Sequence, residues 1–144
     1  MTAESCTGGL VSAVITSVAG SSEILDRGFV SYSNKSKTEI LGVPEHLIFE
    51  FGAVSEEIVE QMVSGAISRS GANVGVAISG IAGPLGETET KPVGTVCFAW
   101  KLDSGILKTT TEHFQGNRNE VRYSSVERAL LGTIEFLDNN NFVR

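Results

Sequence analysis

The first residues with the chemistry of a nucleophile lie in the segment Glu4-Ser5-Cys6-Thr7-Gly8-Gly9, where a strand is expected to pass into a helix. A turn of this kind exposes a side chain above the sheet edge and leaves backbone N–H groups free to bind an anion. Ser5 could attack a carbonyl carbon there while the amides around Cys6 and Thr7 receive the oxyanion. The alternative is that Ser5 or Thr7 only caps the helix and that the glycines only permit close packing.

Cys6 is a competing nucleophile, because a position just before a helix lowers the pKa of a thiol. No histidine stands at a recognisable spacing from it, which favours a small buried hydrophobic side chain instead. The other cysteine, Cys97, shares no CxxC or zinc-binding spacing with Cys6. This pattern is typical of reduced thiols in a cytoplasm and predicts no metal site.

A serine nucleophile needs a base, for which the chain offers two histidines and a lysine. No local motif pairs His46 or His113 with Ser5, although a Ser-His-Asp triad is defined by geometry and stays open. Lys37 lies in the first turn of a predicted helix that follows Tyr32. That position and partial burial would both lower the pKa of the amine toward the range of a general base. The Tyr32 phenol could then hold the amine or the leaving group; the alternative is a solvated lysine and a core tyrosine.

Two later segments could bind the rest of a substrate. Residues 79–86 form a glycine-rich loop, a type that lets backbone amides wrap an anion or a flat ring, without the Gly-Lys-Ser/Thr of a Walker loop. Arg118 and Arg122 are four residues apart at the start of a helix capped by Asn117, so both could bind one phosphate. A solvated helix edge is the alternative for this pair.

The elements that must position these residues alternate along the chain and end in a hairpin. The predicted elements are a strand stub at 1–3, helices at 8–18, 34–41 and 55–71, a turn or two at 45–51, strands at 29–32, 73–79, 94–101 and 106–114, and a last helix at 117–136. This order predicts a mixed sheet with helices on both faces. No linker or repeat divides the chain, so residues 1–144 are expected to form a single domain.

Composition excludes several classes of protein. The 144 residues are 41% hydrophobic and carry a formal net charge of −6. Disorder requires low hydrophobicity, which this composition does not have. The diffuse negative charge argues against binding to nucleic acid or to an anionic membrane surface. No stretch approaches about 18 consecutive apolar residues, and no charged leader precedes an apolar segment. A cytoplasmic location is therefore expected, without nucleic-acid or membrane partners.

Five ordered segments together resemble one family, the C-terminal domain of the competence-damage-inducible protein CinA. The resemblance runs from Thr2 to about Leu131. The segments that carry it are Thr2-Ala3-Glu4-Ser5-Cys6-Thr7-Gly8-Gly9, Gly28-Phe29-Val30-Ser31-Tyr32-Ser33-Asn34 with Lys37, Gly52-Ala53-Val54-Ser55, Ser79-Gly80-Ile81-Ala82-Gly83-Pro84 and Lys91-Pro92-Val93-Gly94-Thr95-Val96.

The resemblance implies an α/β fold with three layers, α/β/α, around a mixed sheet. Stand-alone members of the family are nicotinamide-nucleotide amidohydrolases, so it also implies hydrolysis of nicotinamide mononucleotide to nicotinate mononucleotide and ammonia, without a cofactor, by a homodimer. Carried over by position, Ser5 is the nucleophile and Lys37 and Tyr32 are its activating partners. The substrate-binding residues expected on this basis are Cys6, Thr7, Gly8, Gly80, Ile81, Ala82, Gly83, Arg118 and Arg122.

Two departures from the family pattern affect the expected activity. Members usually carry a helix and a full strand ahead of the Thr-Ala-Glu-Ser segment, and the larger N-terminal domain of full-length CinA proteins is also missing. We expect this shorter start to expose apolar surface, loosen the strand before Ser5 and lower both stability and turnover. Glu87 stands where members often have glycine, which bears on pocket width. A non-catalytic pyridine-nucleotide-binding or regulatory domain, or a hydrolase of another small amide, therefore remains an alternative.

Overall fold

The computed structural model describes residues 1–142. In chain order its elements are β1 (Thr2–Glu4), α1 (Leu10–Thr16), a 3-10 turn (Ser21–Glu23), β2 (Gly28–Val30), α2 (Asn34–Leu41), α3 (Glu45–Phe51), α4 (Glu56–Ser70), β3 (Val74–Gly80), β4 (Thr95–Leu102), β5 (Leu107–His113) and α5 (Arg118–Asn139).

The helix boundaries follow local capping chemistry. Ser55 accepts a hydrogen bond from the Ile58 amide at the start of α4, and Asn117 accepts from two amides at the start of α5. Gly71 ends α4 in the left-handed conformation, which glycine adopts without steric cost. These boundaries confirm the predicted helices to within a few residues.

The five strands form one sheet in the order β2-β1-β3-β4-β5. β2, β1 and β3 run parallel, whereas β4 is antiparallel to both β3 and β5, so the predicted mixed sheet and late hairpin are confirmed. Parallel strands end at the same edge of a sheet, and this edge is where α/β proteins bind ligands. The turn after β1, the connection after β2 and the loop after β3 consequently meet there.

Helices cover both faces of the sheet and give the three layers that were expected. On one face α2, α3 and α4 enclose a core that includes Val59, Met62 and Ala77. On the other face α1 and α5 pack over Phe98 and Trp100. None of the helices within residues 1–142 is both long and apolar enough to cross a membrane.

The connection between β2 and α2 differs from the prediction. β2 ends at Val30, so Tyr32 lies outside the strand that it was predicted to end. The last ladder bond runs from the Ser31 amide to the Glu4 carbonyl at 2.9 Å. Ser33 then caps α2 through a reciprocal pair of hydrogen bonds with Ser36. This early cap leaves Ser31 and Tyr32 between the end of β2 and the cap residue, and the carbonyl oxygens of these two residues accept hydrogen bonds from Lys37.

Candidate active site

A buried carboxylate shapes the turn that carries Ser5. Glu4 is fully buried at the end of β1, and its two carboxylate oxygens accept five hydrogen bonds. Three of the donors are the amides of Gly9, Val11 and Ser12 at the start of α1. Gly8 and Gly9 have φ values of 59° and 97°, a region that L side chains rarely adopt. The two glycines therefore let the chain reverse closely enough for Glu4 to hold the helix start.

Ser5 and Lys37 meet at the edge of the sheet although 32 residues separate them in the chain. The distance from Lys37 Nζ to Ser5 Oγ is 2.9 Å, and both side chains are buried. Nζ also donates to the carbonyl oxygens of Ser31 and Tyr32, at 2.9 and 3.2 Å. These two backbone contacts fix the direction of the amine, which leaves Ser5 as its side-chain partner.

Burial changes the protonation chemistry of this pair. Desolvation of the Lys37 amine lowers its pKa to about 8, and the nearby Cys6 opposes this only in part. No carboxylate of residues 1–142 forms an ion pair with Nζ. An amine in this setting exchanges its proton close to physiological pH, whereas a solvated or ion-paired lysine stays charged.

Cys6 does not compete with Ser5 as a nucleophile. Its side chain is buried, and desolvation raises the pKa of the thiol to about 12. A thiol with such a pKa holds almost no thiolate at neutral pH, and the thiolate is the reactive form.

The pair opens into a cleft of about 210 Å³. Its lining combines hydroxyls, small apolar groups and two cations, without a carboxylate or a histidine. The lining residues are Ser5, Cys6, Tyr32, Asn34, Lys37, Ala53, Val54, Ser79, Gly80, Ala82 and Arg118. A wider groove of about 630 Å³ between α2 and α3 shares Asn34 with the cleft but contains neither Ser5 nor Lys37. The smaller cleft is therefore the candidate active site.

Tyr32 contributes differently from the prediction. Its phenol does not hold the Lys37 amine; its backbone carbonyl does. The phenol oxygen instead accepts a hydrogen bond from Arg118 Nη2 at 2.8 Å. Arg118 Nη1 donates to the Gly83 carbonyl at 2.7 Å, so this guanidinium links the β2–α2 connection to the glycine-rich loop across the cleft.

Arg122 is not among the residues that line the cleft, and its role as a substrate ligand stays a prediction. Its Nε donates to the Cys6 carbonyl at 3.1 Å and its Nη2 to the Thr7 carbonyl at 3.2 Å. The turn after β1 presents these two carbonyl oxygens toward α5, and a guanidinium has enough N–H donors to satisfy both.

The other predicted substrate-binding residues divide into two groups. Cys6, Gly80 and Ala82 line the cleft, as does Arg118. Thr7, Gly8, Ile81 and Gly83 do not, and Glu87 is exposed outside the lining.

Sequence reasoning did not name Asn34, Ala53, Val54 and Ser79 individually as site residues, although they do line the cleft. Ser79 belongs to the glycine-rich loop at 79–86, and Asn34, Ala53 and Val54 belong to segments that carry the family resemblance. Their position in those segments was the sequence signal available for them.

Neither histidine belongs to this site. His113 Nδ1 lies 3.3 Å from Thr95 Oγ1 at the end of β5, and His46 lies in α3. Neither lines the cleft, so the triad alternative has no support. Within residues 1–142 no cluster of three or more His, Cys, Asp or Glu side chains could hold a metal ion.

The fold and the site together define a three-layer α/β/α domain with a buried Ser–Lys pair at the carboxyl edge of its parallel strands. Comparison with known proteins makes this specific: the chain belongs to the CinA C-terminal domain family, whose profile matches residues 1–137.

Curated relatives fall into two length classes. A CinA-like protein of Akkermansia muciniphila is 48% identical over 93% of this chain, but the match covers 32% of that protein. The chain thus spans about a third of the CinA-like relatives. The nicotinamide-nucleotide amidohydrolase PncC of Enterobacter agglomerans is 47% identical, with 95% of this chain and 84% of that protein covered. PncC of Escherichia coli K12 is 50% identical over 90% of this chain and 78% of its own length.

Solved structures share the architecture. A competence/damage inducible protein from Agrobacterium tumefaciens superposes with a TM-score of 0.90 at 45% identity, covering 93% of this chain and 82% of that one. The competence damage-inducible protein A of Klebsiella pneumoniae gives a TM-score of 0.92 at 37% identity, covering 95% and 84%.

Proposed function

We propose that this chain hydrolyses nicotinamide mononucleotide to nicotinate mononucleotide and ammonia, with Ser5 as the nucleophile and Lys37 as its base. The observation that carries the proposal is the 2.9 Å contact between Ser5 Oγ and a buried lysine amine that has no carboxylate partner within the described residues. The choice of substrate is supported by relatives of similar length that are named nicotinamide-nucleotide amidohydrolase.

The first half of the reaction forms an ester on Ser5. The neutral Lys37 amine takes the proton from Ser5 Oγ as that oxygen bonds to the amide carbon, and the carbonyl electron pair moves onto its oxygen. The oxyanion is received by the backbone amide of Cys6, a residue that lines the cleft. When the tetrahedral species collapses, the C–N bond breaks and Lys37 passes its proton to the leaving nitrogen, which departs as ammonia.

The second half releases the acid. Water gives a proton to Lys37 and bonds to the ester carbon, forming a second oxyanion at the same place. Collapse breaks the bond to Ser5 Oγ, which recovers the proton from Lys37. The product is a carboxylic acid, which loses its proton to solvent to become a carboxylate, and the two halves together consume one water for each amide. These steps use a serine and an amine only and require neither metal nor cofactor.

The cleft suits the amide end of the substrate better than the whole nucleotide. A volume of about 210 Å³ is below the usual range for a drug-sized ligand, so the ring and carboxamide would enter while the ribose phosphate stays at the mouth. Arg118 lines that mouth, and Asn34 lies beside it at the start of α2. In this proposal Arg118 binds the phosphate, and Tyr32 orients Arg118 through its phenol.

The same resemblance predicts a homodimer in the cytoplasm, and both stay part of the proposal. An apolar face of α5 supports a subunit contact, because Leu131 and Ile134 are each more than half exposed.

An ammonia-release assay on the wild type and on Ser5→Ala tests the proposal. With nicotinamide mononucleotide we expect turnover to fall by about 10³–10⁶ in Ser5→Ala, because the residual rate would come from binding and the oxyanion amides alone. Ser64→Ala removes a hydroxyl on α4 outside the cleft and should keep the wild-type rate.

Parallel assays on nicotinamide and on other small amides separate the alternatives. Ammonia released only from another amide would assign a different substrate to the enzyme. If no amide yields ammonia, the result would support the alternative of a non-catalytic nucleotide-binding domain. Release by Ser5→Ala at the wild-type rate would exclude Ser5.

A further inference from the structure

The contacts of Lys37 fit both protonation states of its amine. Nζ lies 2.9 Å from Ser5 Oγ, 2.9 Å from the Ser31 carbonyl oxygen and 3.2 Å from that of Tyr32. The charged amine has three N–H groups and can donate to all three oxygens. The neutral amine has two N–H groups for the two carbonyls, and its lone pair then points at the Ser5 hydroxyl. Loss of the proton therefore needs no movement of the side chain, and the surrounding charges decide which form is present.

The groups beside the amine do not compensate its charge. Cys6 has a raised pKa of about 12, so at neutral pH it is a thiol. The buried Glu4 carboxylate accepts the backbone amides at the start of α1, and Arg118 of α5 adds a second cation to the cleft. The residues that line the cleft include no carboxylate. A further positive charge that enters this cleft therefore meets Lys37 without an anion beside it.

The helices packed against α2 direct their charged side chains elsewhere. Arg69 of α4 donates to the Leu41 carbonyl at the far end of α2. Glu56 of α4 accepts two threonine hydroxyls of β5, and Glu45 of α3 lines the outer groove. No acid or histidine of α2, α3 or α4 lines the cleft itself. The charge of a ligand in the cleft is thus the main variable that acts on the amine.

We propose that a cationic pyridinium ring, on entering the cleft, expels the proton from Lys37 and so activates its own hydrolysis at neutral pH. This rests on the proposed function, because it concerns the substrate of that reaction. The substrate class is then a pyridinium carboxamide, in which the ring nitrogen carries a sugar and a positive charge.

The reaction itself fixes how close the ring comes to the amine. The carboxamide carbon must meet Ser5 Oγ, which lies 2.9 Å from Nζ, and the ring is bonded directly to that carbon. Two unit charges about 6 Å apart in a poorly solvated cleft repel each other enough to favour the neutral amine. The phosphate of the nucleotide is assigned to Arg118 at the mouth, so it does not compensate the ring.

The proton that leaves Nζ passes to solvent through the open mouth of the cleft, and the neutral amine then accepts the Ser5 proton as described above. The pH profile of kcat/KM reports the free enzyme, whereas that of kcat reports the complex. The two profiles should therefore differ. By reciprocity, a protonated Lys37 should weaken binding of the cation, so KM should rise as the pH falls below about 8.

Proton release on binding is the first test, and it needs no turnover. Calorimetric titrations of Ser5→Ala at pH 7.5, in two buffers of different ionisation enthalpy, count the protons released. The comparison ligand is benzamide riboside 5′-monophosphate, which has carbon in place of the ring nitrogen and the same phosphate. Nicotinamide mononucleotide should release about half a proton more per site than this neutral ligand. Equal release by the two ligands, or no binding of the cation, would overturn the inference.

A second substitution identifies the source of the proton. In the double variant Ser5→Ala/Lys37→Met the difference between the two ligands should disappear. A difference that persists there would assign the proton to another group and overturn the inference.

The pH dependence of turnover by the wild type is the second test. With nicotinamide mononucleotide the apparent pKa of kcat should lie at least about one pH unit below that of kcat/KM. With the neutral ligand as substrate the two should coincide. Coincident values for the cationic substrate would contradict the proposal.

A carboxylate placed in the cleft should cancel the effect. Asn34 lines the cleft at the start of α2, where an acidic side chain is tolerated, so Asn34→Asp adds an anion with little change of shape. It should reduce the extra proton release and bring the two profiles closer together. Asn139→Asp adds the same charge at the other end of α5, about 30 Å from Arg118, and should behave as the wild type. Identical behaviour of the two variants would count against the proposal.

These measurements separate the inference from the proposed function. If the wild type releases no ammonia but the cationic nucleotide still expels the extra proton, the proposed function fails and the inference stands. If ammonia is released while both ligands release equal numbers of protons, the amidase stands and the inference fails.

Discussion

A lysine amine acts as a base near neutral pH only where its surroundings disfavour its charge. Lys37 meets that condition through burial, which lowers its pKa to about 8, and its remaining contacts are carbonyl oxygens and the Ser5 hydroxyl. The nearby Cys6 opposes this lowering of the pKa only in part. The result is a group that loses its proton just above physiological pH while it stays correctly aimed.

The pH dependence of the rate follows from this pKa. We expect kcat/KM to rise with pH through about 8, because only the neutral form of Lys37 can accept the Ser5 proton. The measurement is a rate profile from pH 6 to 10 with nicotinamide mononucleotide as substrate. A profile that is flat across this range would remove Lys37 as the base.

Substitutions of Lys37 provide the control for the pH–rate profile. Lys37→Arg should lose activity about as severely as Lys37→Met, because an arginine keeps its proton throughout this pH range.

At the residue scale, sequence named Ser5 and Lys37, which the structure brings into contact, but it did not indicate the partners of the residues around them. Ser5 and Lys37 could be named because nucleophile and base chemistry limit the candidates, and the family segments carry both residues. The hydrogen-bond partners of the Tyr32 phenol and of Arg122 were not predicted, because a long side chain can reach in several directions. Spacing gives the helix face of Arg122, but it does not tell a phosphate from a backbone carbonyl as the partner.

Among the secondary-structure elements, the helices that position the site could be predicted closely. Asn117 was predicted to cap the last helix and does so, and Ser33 and Ser55 cap α2 and α4 in the structure. α1 is shorter than predicted and begins at Leu10, because the turn from Ser5 to Gly9 is held to Glu4 instead.

Glu4 was not predicted to position anything. A single acidic residue at the end of a short strand gives no periodic signal, and its importance comes from the chain folding back around it. A carboxylate a few residues ahead of a helix is a weak sequence indication of this arrangement.

Glu4→Gln tests the contribution of the turn. The amide keeps the size of the side chain but replaces one acceptor oxygen by a donor that faces N–H groups or hydroxyls. We expect the free energy of unfolding to fall by about 2–3 kcal/mol in urea titrations, because a buried, charge-assisted set of hydrogen bonds is broken.

Glu56→Gln is the matched control for this substitution. The Glu56 carboxylate also accepts two hydroxyls, those of Thr109 and Thr111, but near the surface. Its loss should cost about 0.5 kcal/mol or less. Equal losses in the two variants would contradict the account of the turn.

Across the whole molecule, the parallel half of the sheet brings the site together. Ser5 follows β1, Lys37 lies just after β2, and Gly80 ends β3, so three separate segments reach one edge. Sequence indicated a mixed sheet with helices on both faces. The strand order β2-β1-β3 is a long-range property that local periodicity does not contain, and it is what makes β1 central and the Ser5 turn buried.

Relatives of two different lengths contain the family domain. The same family domain is matched in proteins about three times as long and in proteins of nearly this length. The residues that line the cleft all lie between positions 5 and 118 of this chain.

The most direct test of the proposed mechanism is mass spectrometry of the protein quenched in acid during turnover of nicotinamide mononucleotide. The account predicts that the peptide containing Ser5 carries the mass of the nicotinate mononucleotide acyl group, and that Ser5→Ala carries none. Ammonia released while the Ser5 peptide stays unmodified at every quench time, even under conditions that slow deacylation, would contradict a serine nucleophile.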